Sequence, residues 1–95
     1  MPSEYSLEFD DAAKKEWKAL GENLRKQFTR KLAERLAMPH VPADKLHGLK
    51  DCYKIKLRAS GYRLVCRVEE DRVVVLVLAV GKRERSAVYE QAKKR

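Results

Sequence analysis

Between Asp51 and Val68 the chain reads DCYKIKLRASGYRLVCRV, and at Gly81–Arg85 it reads GKRER. If the first segment folds as a β-hairpin, side chains alternate across the sheet with a period of two, so Lys54 and Lys56 share one face. A hairpin loop with an even number of residues pairs even positions of the first strand with odd positions of the second, which brings Arg63 to the same face. Cations held together repel one another and lose hydration, and a polyanion reverses the sign of that interaction. With an RNA backbone as the polyanion, the feasible reaction is attack by a ribose 2′-hydroxyl on its own phosphodiester, leaving a 2′,3′-cyclic phosphate and a free 5′-hydroxyl. The step needs a base, positive charge for a dianionic phosphorane, and a proton for the departing 5′-oxygen. Lys54 or Lys56 suits the base, because neighbouring cations push a lysine pKa down and raise its neutral fraction. Arg63 is permanently charged and forked, which suits bidentate contact with phosphate oxygens. Arg83, at the end of a later strand, suits the leaving oxygen, either directly or through water, since a guanidinium with a pKa above about 12 gives up a proton reluctantly. Tyr89 offers a ring that either stacks on an unpaired base or packs in the core.

The whole-chain charge points the same way. Lys and Arg number 22 against 14 Asp and Glu, a formal net charge of +8 with a sequence pI near 9.7. Phosphate-rich partners are the first expectation, and an acidic protein partner is the other. At 95 residues the chain reads as a single domain, 1–95, with a thin core. Its start, Met1-Pro2-Ser3-Glu4, lacks the basic and apolar regions of a signal peptide, and its longest apolar run, Val73–Val80, is far shorter than the ~20 residues that span a bilayer. A soluble cytoplasmic protein with no membrane contact is expected. Cys52 and Cys66 fall in neighbouring strands but on opposite faces, so no disulfide is expected between them. Two histidines and no Cys-x-x-Cys or His-Glu-x-x-His spacing give no metal site, and no cofactor is expected.

The elements that must position these groups can be read from period and punctuation. Tyr5–Phe9 alternates as a short strand, and Asp10 or Asp11 then caps a helix over about 11–20. Gly21 reads as a positive-φ stop. Ala13, Trp17, Leu20, Leu24, Phe28, Leu32 and Leu36 keep a spacing of three or four across it, which predicts a helical hairpin over about 11–37. Its outward positions, among them Lys14, Lys18, Arg25, Arg30 and Arg35, read either as a solvated face or as a phosphate-tracking surface. Pro39 and Pro42 lead into a loop holding His40 and His47, both read as solvated rather than catalytic. Leu49 onward is strand, Arg58–Gly61 is a turn, and Glu69–Arg72 is a second turn. VVVLVLAV from Val73 is apolar at both parities, as a central strand covered on both faces should be. Gly81 ends it. A short helix over about 85–94, docked only by Val88, Ala92 and Tyr89, is expected to be loosely held. The fold class is therefore α+β: an N-terminal helical hairpin packed on a small antiparallel-rich β-sheet, with a short C-terminal helix.

From LEFDDAAKKEWKALG through KLHGLKDCYKIKLRASGYRLV to VGKRERSAVYEQAKKR, the sequence resembles the RelE toxins of bacterial toxin–antitoxin systems over nearly its whole length. The resemblance implies a RelE-like α+β fold and a metal-independent endoribonuclease that cuts mRNA in the ribosomal A site. It implies that Lys54 and Lys56 are the proton-transfer and phosphate-binding lysines, Arg63 the transition-state clamp, Arg83 the leaving-group residue, and Tyr89 the base-stacking side chain. Expected partners are a RelB-like antitoxin that covers or displaces the C-terminal helix, the 70S ribosome with its 16S rRNA, and mRNA. Operator DNA enters only through the antitoxin complex, with which the toxin represses its own operon. The chain departs from the family pattern at His47, where an arginine is expected, so an RNA contact there is weakened or made pH-dependent.

Two other readings use the same features. A ParE-like toxin of the same superfamily would bind DNA gyrase without catalysis, and a plain RNA-binding module would make phosphate contacts without cleavage and show a steep salt dependence. The joint presence of Lys54, Lys56, Arg63, Arg83 and Tyr89 argues for the nuclease.

Overall fold

The computed structural model describes residues 4–82 and 87–95. Strand β1 (Ser6–Phe9) is followed by helices α1 (Asp11–Ala19) and α2 (Glu22–Ala37), then by strands β2 (Cys52–Leu57), β3 (Tyr62–Glu69) and β4 (Val74–Lys82), and finally by helix α3 (Ala87–Lys93). The sheet runs β1-β4-β3-β2, with β2, β3 and β4 an antiparallel meander and β1 parallel to β4. This is the α+β architecture expected from the sequence.

Helix α1 starts where the Asp10 carboxylate accepts the Ala12 and Ala13 amides at 3.0 and 3.3 Å, two of the orphan donors of the first turn. Gly21, expected to stop the helix with positive φ, instead has φ −64° and caps the start of α2. The chain turns through extended backbone at Leu20 and Gly21, and the Arg25 guanidinium takes up the freed Leu20 and Lys18 carbonyls. Positive φ is used elsewhere: at Gly61, +76°, in the β2–β3 turn, and at Val73, +53°, just before β4. The central strand therefore starts one residue later than expected, because a β-branched residue in the left-handed region cannot continue a ladder.

The sheet separates two cores. The hairpin side packs Phe28 and Leu32 against Ile55, Leu64, Cys66, Val75 and Val77, with Trp17 wedged between Phe9 and Phe28 at ring distances of 5.3 and 6.2 Å. On the other face α3 sets Val88 and Ala92 against Val65, Leu78 and Ala79. Strand β4 is thus covered on both faces, by α1 and by α3. Cys52 and Cys66 are free thiols, one in each core, as the strand parity required.

The ladder between β3 and β4 shifts register at Val65/Cys66: Val65 faces Ala79 and Cys66 faces Val77, leaving Leu78 as the extra residue of a β-bulge. Leu78 and Ala79 consequently both pack under α3. Past the bulge the parity of β4 inverts, and Gly81 comes opposite Arg63.

Helix α3 is better held than its few apolar residues suggested. Strand β4 outruns β1, which pairs it only as far as Val77, so its edge beyond has backbone groups to satisfy. Arg95 donates to the Leu78 carbonyl at 3.1 Å and to both Glu16 carboxylate oxygens at 2.7 and 3.3 Å, while Glu16 also accepts the Val80 amide at 3.1 Å. One ion pair thereby seals the strand edge and ties α3 to α1. Among the described residues, no helix is long and apolar enough to cross a membrane.

Candidate active site

The β2–β3 hairpin has the four-residue loop 58–61, and its register pairs Lys56 with Arg63 and Lys54 with Val65. Since β3 in turn pairs Arg63 with Gly81, Lys56, Arg63 and Gly81 form one row across three adjacent strands. Among the described residues, a Cβ added at Gly81 would meet no atom within 4 Å, which leaves room on that strand beside Arg63. Lys54 stands two residues along β2 on the same face. The sequence-based placement of Lys54, Lys56 and Arg63 together agrees with this register.

Tyr89 reaches the same place from α3. Its hydroxyl accepts a hydrogen bond from Arg63 Nη1 at 2.6 Å, and the guanidinium carbon lies 5.9 Å from the ring centroid. The aromatic ring and its oxygen therefore hold the Arg63 fork over the sheet, a cation–π contact and a charge-assisted hydrogen bond acting on one group. Arg83, the fifth residue expected here, lies outside the described residues. Lys82, its neighbour, turns to the opposite face, where its ammonium is 5.8 Å from the Tyr62 ring.

Electrostatics distinguish these cations from the rest of the basic surface. Lys54, Lys56 and Arg63 are half-buried, whereas Lys14, Lys15, Lys18 and Lys31 on the hairpin are exposed. Among the described residues no carboxylate pairs with Lys54, Lys56 or Arg63, although Arg35, Arg67, Arg72 and Arg95 all have acidic partners. Partly desolvated cations without counter-ions hold their charge ready for an anion, and a single row of such groups matches successive phosphate oxygens better than it matches an isolated carboxylate. A recess of 220 Å³ lined by Lys56, Leu57, Arg58, Gly61, Tyr62 and Arg63 opens there. A larger cavity, 690 Å³, lies at the other end of the same face, where Arg67 is already neutralised by Glu69 at 2.8 Å, so it offers an anion less.

Two side-chain placements differ from the sequence reading. Arg35, expected on the outward hairpin face, is 12% exposed and donates to the Asp44 carboxylate and, at 3.2 Å, to the Lys54 carbonyl. His40, expected to be merely solvated, bridges the Tyr53 hydroxyl at 3.1 Å and the Glu70 carboxylate, which also accepts the Tyr5 hydroxyl at 2.8 Å. The Tyr5 and His40 hydrogen bonds hold the Glu70 carboxyl below the ordinary glutamate range. His47, the departure from the family pattern, is exposed in the loop before β2. Burial pushes the Cys66 thiol up to about 12, and burial raises Cys52 as well, so neither is a nucleophile at neutral pH.

Comparison with known proteins places this geometry in context. Residues 7–87 match the family described as the ParE toxin of type II toxin–antitoxin system. The chain is 57% identical over 91 residues, 96% of either chain, to a protein of Escherichia coli K12 named mRNA interferase toxin RelE. A mutant of E. coli toxin RelE in the free state superposes with a TM-score of 0.90 at 54% identity, covering 97% of both chains. The toxin in the intact E. coli RelBE toxin–antitoxin complex superposes at 0.82 with 55% identity, covering 84% of this chain and 98% of that one.

Proposed function

Because the chain belongs to the RelE/ParE superfamily of toxins from bacterial type II toxin–antitoxin systems, we propose that it is a ribosome-dependent mRNA interferase, a metal-independent endoribonuclease acting on mRNA in the ribosomal A site. The observation that carries this reading is the row of Lys56 and Arg63, which have no acidic partner among the described residues, with Lys54 beside it and the Arg63 fork held by Tyr89. In this mechanism one of Lys54 and Lys56 takes the proton of the 2′-hydroxyl while the other binds the scissile phosphate. The 2′-oxygen attacks phosphorus, Arg63 stabilises the phosphorane oxygens, and the 5′-oxygen leaves with a proton supplied at Arg83, directly or through water. Tyr89 stacks on the base beside the cut. Products are a 2′,3′-cyclic phosphate and a 5′-hydroxyl.

A RelB-like antitoxin is the expected partner, consistent with the relative crystallised in complex with RelB. It would neutralise the toxin at α3 and the cationic face, and the pair would bind operator DNA through the antitoxin and repress its own operon. The protein would meet the 70S ribosome through its 16S rRNA, in the cytoplasm.

A second reading, gyrase inhibition without catalysis, is favoured by the ParE name of the matching family. The cationic row and the identity to an mRNA interferase weigh against it. Incubation with programmed ribosomes and mapping of mRNA ends separates the two: A-site cuts are expected, whereas intact message together with blocked gyrase supercoiling would establish the alternative. Lys54→Ala should change both the rate and the pH–rate profile of cleavage; a changed rate with an unchanged profile points to Lys56 or another group as the base.

A further inference from the structure

We propose that Arg35 is a positioning residue for Lys54, acting through the backbone of β2; this inference rests on the nuclease reading above. Strand β2 is the edge of the sheet. Its outward backbone groups are pinned at three successive points: the Cys52 carbonyl accepts from the Leu46 amide at 2.9 Å, Tyr53 bridges to Lys45, and the Lys54 carbonyl accepts from Arg35 Nη2 at 3.2 Å. The last of these comes from a charged side chain, and it falls on the residue whose ammonium the reaction needs.

The arrangement is a poor device for stability alone. The guanidinium is nearly buried with one carboxylate, Asp44, for company, and its Nη1 lacks any acceptor among the described residues. Buried ion pairs of this kind are commonly replaced by apolar side chains without loss of fold, and an orphaned buried donor calls for an explanation. Holding the Lys54 carbonyl supplies one. An edge strand otherwise frays where its outer side is unbonded, and a fixed peptide plane at Lys54 sets the direction in which that side chain leaves the backbone relative to Lys56 and Arg63. Arg35 acts from the hairpin side of the sheet, close enough to lower the Cys66 thiol pKa against its burial, while Lys54 projects from the other side. Arg35 therefore never meets substrate.

The test measures single-turnover mRNA cleavage on programmed ribosomes with the full chain, as a function of toxin concentration. Arg35→Met, which keeps the stem and removes the donors, should lower the saturating rate about 10-fold, less than the ~10²-fold that a 1 Å misplacement can cost. The half-saturating concentration should stay unchanged, the thermal midpoint should fall by a few degrees because Asp44 loses its partner while the protein stays folded at the assay temperature, and Arg35→Lys should restore most of the rate. In a Lys54→Ala background, Arg35→Met should cost nothing further. An Arg35→Met protein that cleaves at the wild-type rate overturns the proposal, as does the same 10-fold loss without Lys54, or a rate loss that disappears when cleavage is measured well below the melting temperature. If Arg35→Met does not fold, Arg35→Gln must show the rate loss in a folded protein, and a wild-type rate there overturns it equally. A wild-type protein that never cuts message defeats the nuclease reading instead; one that cuts with dependence on Lys54 but not on Arg35 defeats only this inference.

Discussion

Replacing Tyr89 by phenylalanine removes one oxygen and leaves the ring, which isolates what the hydroxyl does for Arg63. A hydrogen bond to a charged group contributes about 1.5–3 kcal/mol net. Both partners are half-buried and water can replace part of the 2.6 Å contact, so about 1 kcal/mol is expected, or roughly a 5-fold loss of rate. Because the bond orients a group whose interaction is strongest with the phosphorane, the loss should fall on the single-turnover rate at saturating toxin and leave the half-saturating concentration unchanged. Tyr89→Ala should lose more, since stacking on a base contributes about 1–3 kcal/mol further. The decisive arm is a double-mutant cycle: in an Arg63→Ala background, Tyr89→Phe should have almost no effect. The same 5-fold loss in both backgrounds would refute the view that Tyr89 works by holding Arg63.

Other perturbations test the scaffold that presents this face. Arg95→Ala should destabilise the protein by about 1–2 kcal/mol in urea and increase amide exchange in α3, because the partly buried Glu16 loses its cationic partner and the Leu78 carbonyl loses the Arg95 donor; unchanged exchange would mean that apolar docking suffices. Val73→Gly should stabilise by about 0.5–1 kcal/mol, as relief of a β-branched residue at φ +53° outweighs the added chain entropy, and any clear destabilisation would show that the strain is not there. Glu69, through its bonds from Arg67 and Arg72, and Glu70, through Tyr5 and His40, both titrate below the ordinary glutamate range when folded. Their contribution is complete above the unfolded value of about 4.3 and is lost as pH falls through the lower folded values, so the melting temperature should be flat from neutral pH to about 5 and fall below about 4. Glu70→Gln should blunt that fall, and an identical acid profile in the variant would remove Glu70 from the account.

Much of the site was legible because strand parity is a two-state property. Once Asp51–Val68 is a hairpin with an even loop, Lys54, Lys56 and Arg63 must share a face, and Cys52 and Cys66 must not. The helical hairpin was legible from its three-and-four spacing, although the sign of φ at Gly21 was not, since a glycine serves equally as a stop or as a start. The β-bulge at Leu78 left no trace in a strand that is apolar at both parities, so the arrival of Gly81 beside Arg63 could not be foreseen. Arg35, His40 and Arg95 were hidden for another reason. Each looks like a solvated side chain until a partner far along the chain is known: Lys54 for Arg35, Glu70 for His40, Glu16 for Arg95. Such pairs are created by topology rather than by any local pattern.

The central claim is that fixed cations make a ribose hydroxyl cut its own phosphodiester. Programmed ribosomes carrying an mRNA with a single 2′-deoxynucleotide at the mapped cleavage position test it most directly. This message should stay intact while the all-ribose message is cut to a 2′,3′-cyclic phosphate end; cutting of the deoxy-substituted message at the same bond would rule out attack by the ribose hydroxyl.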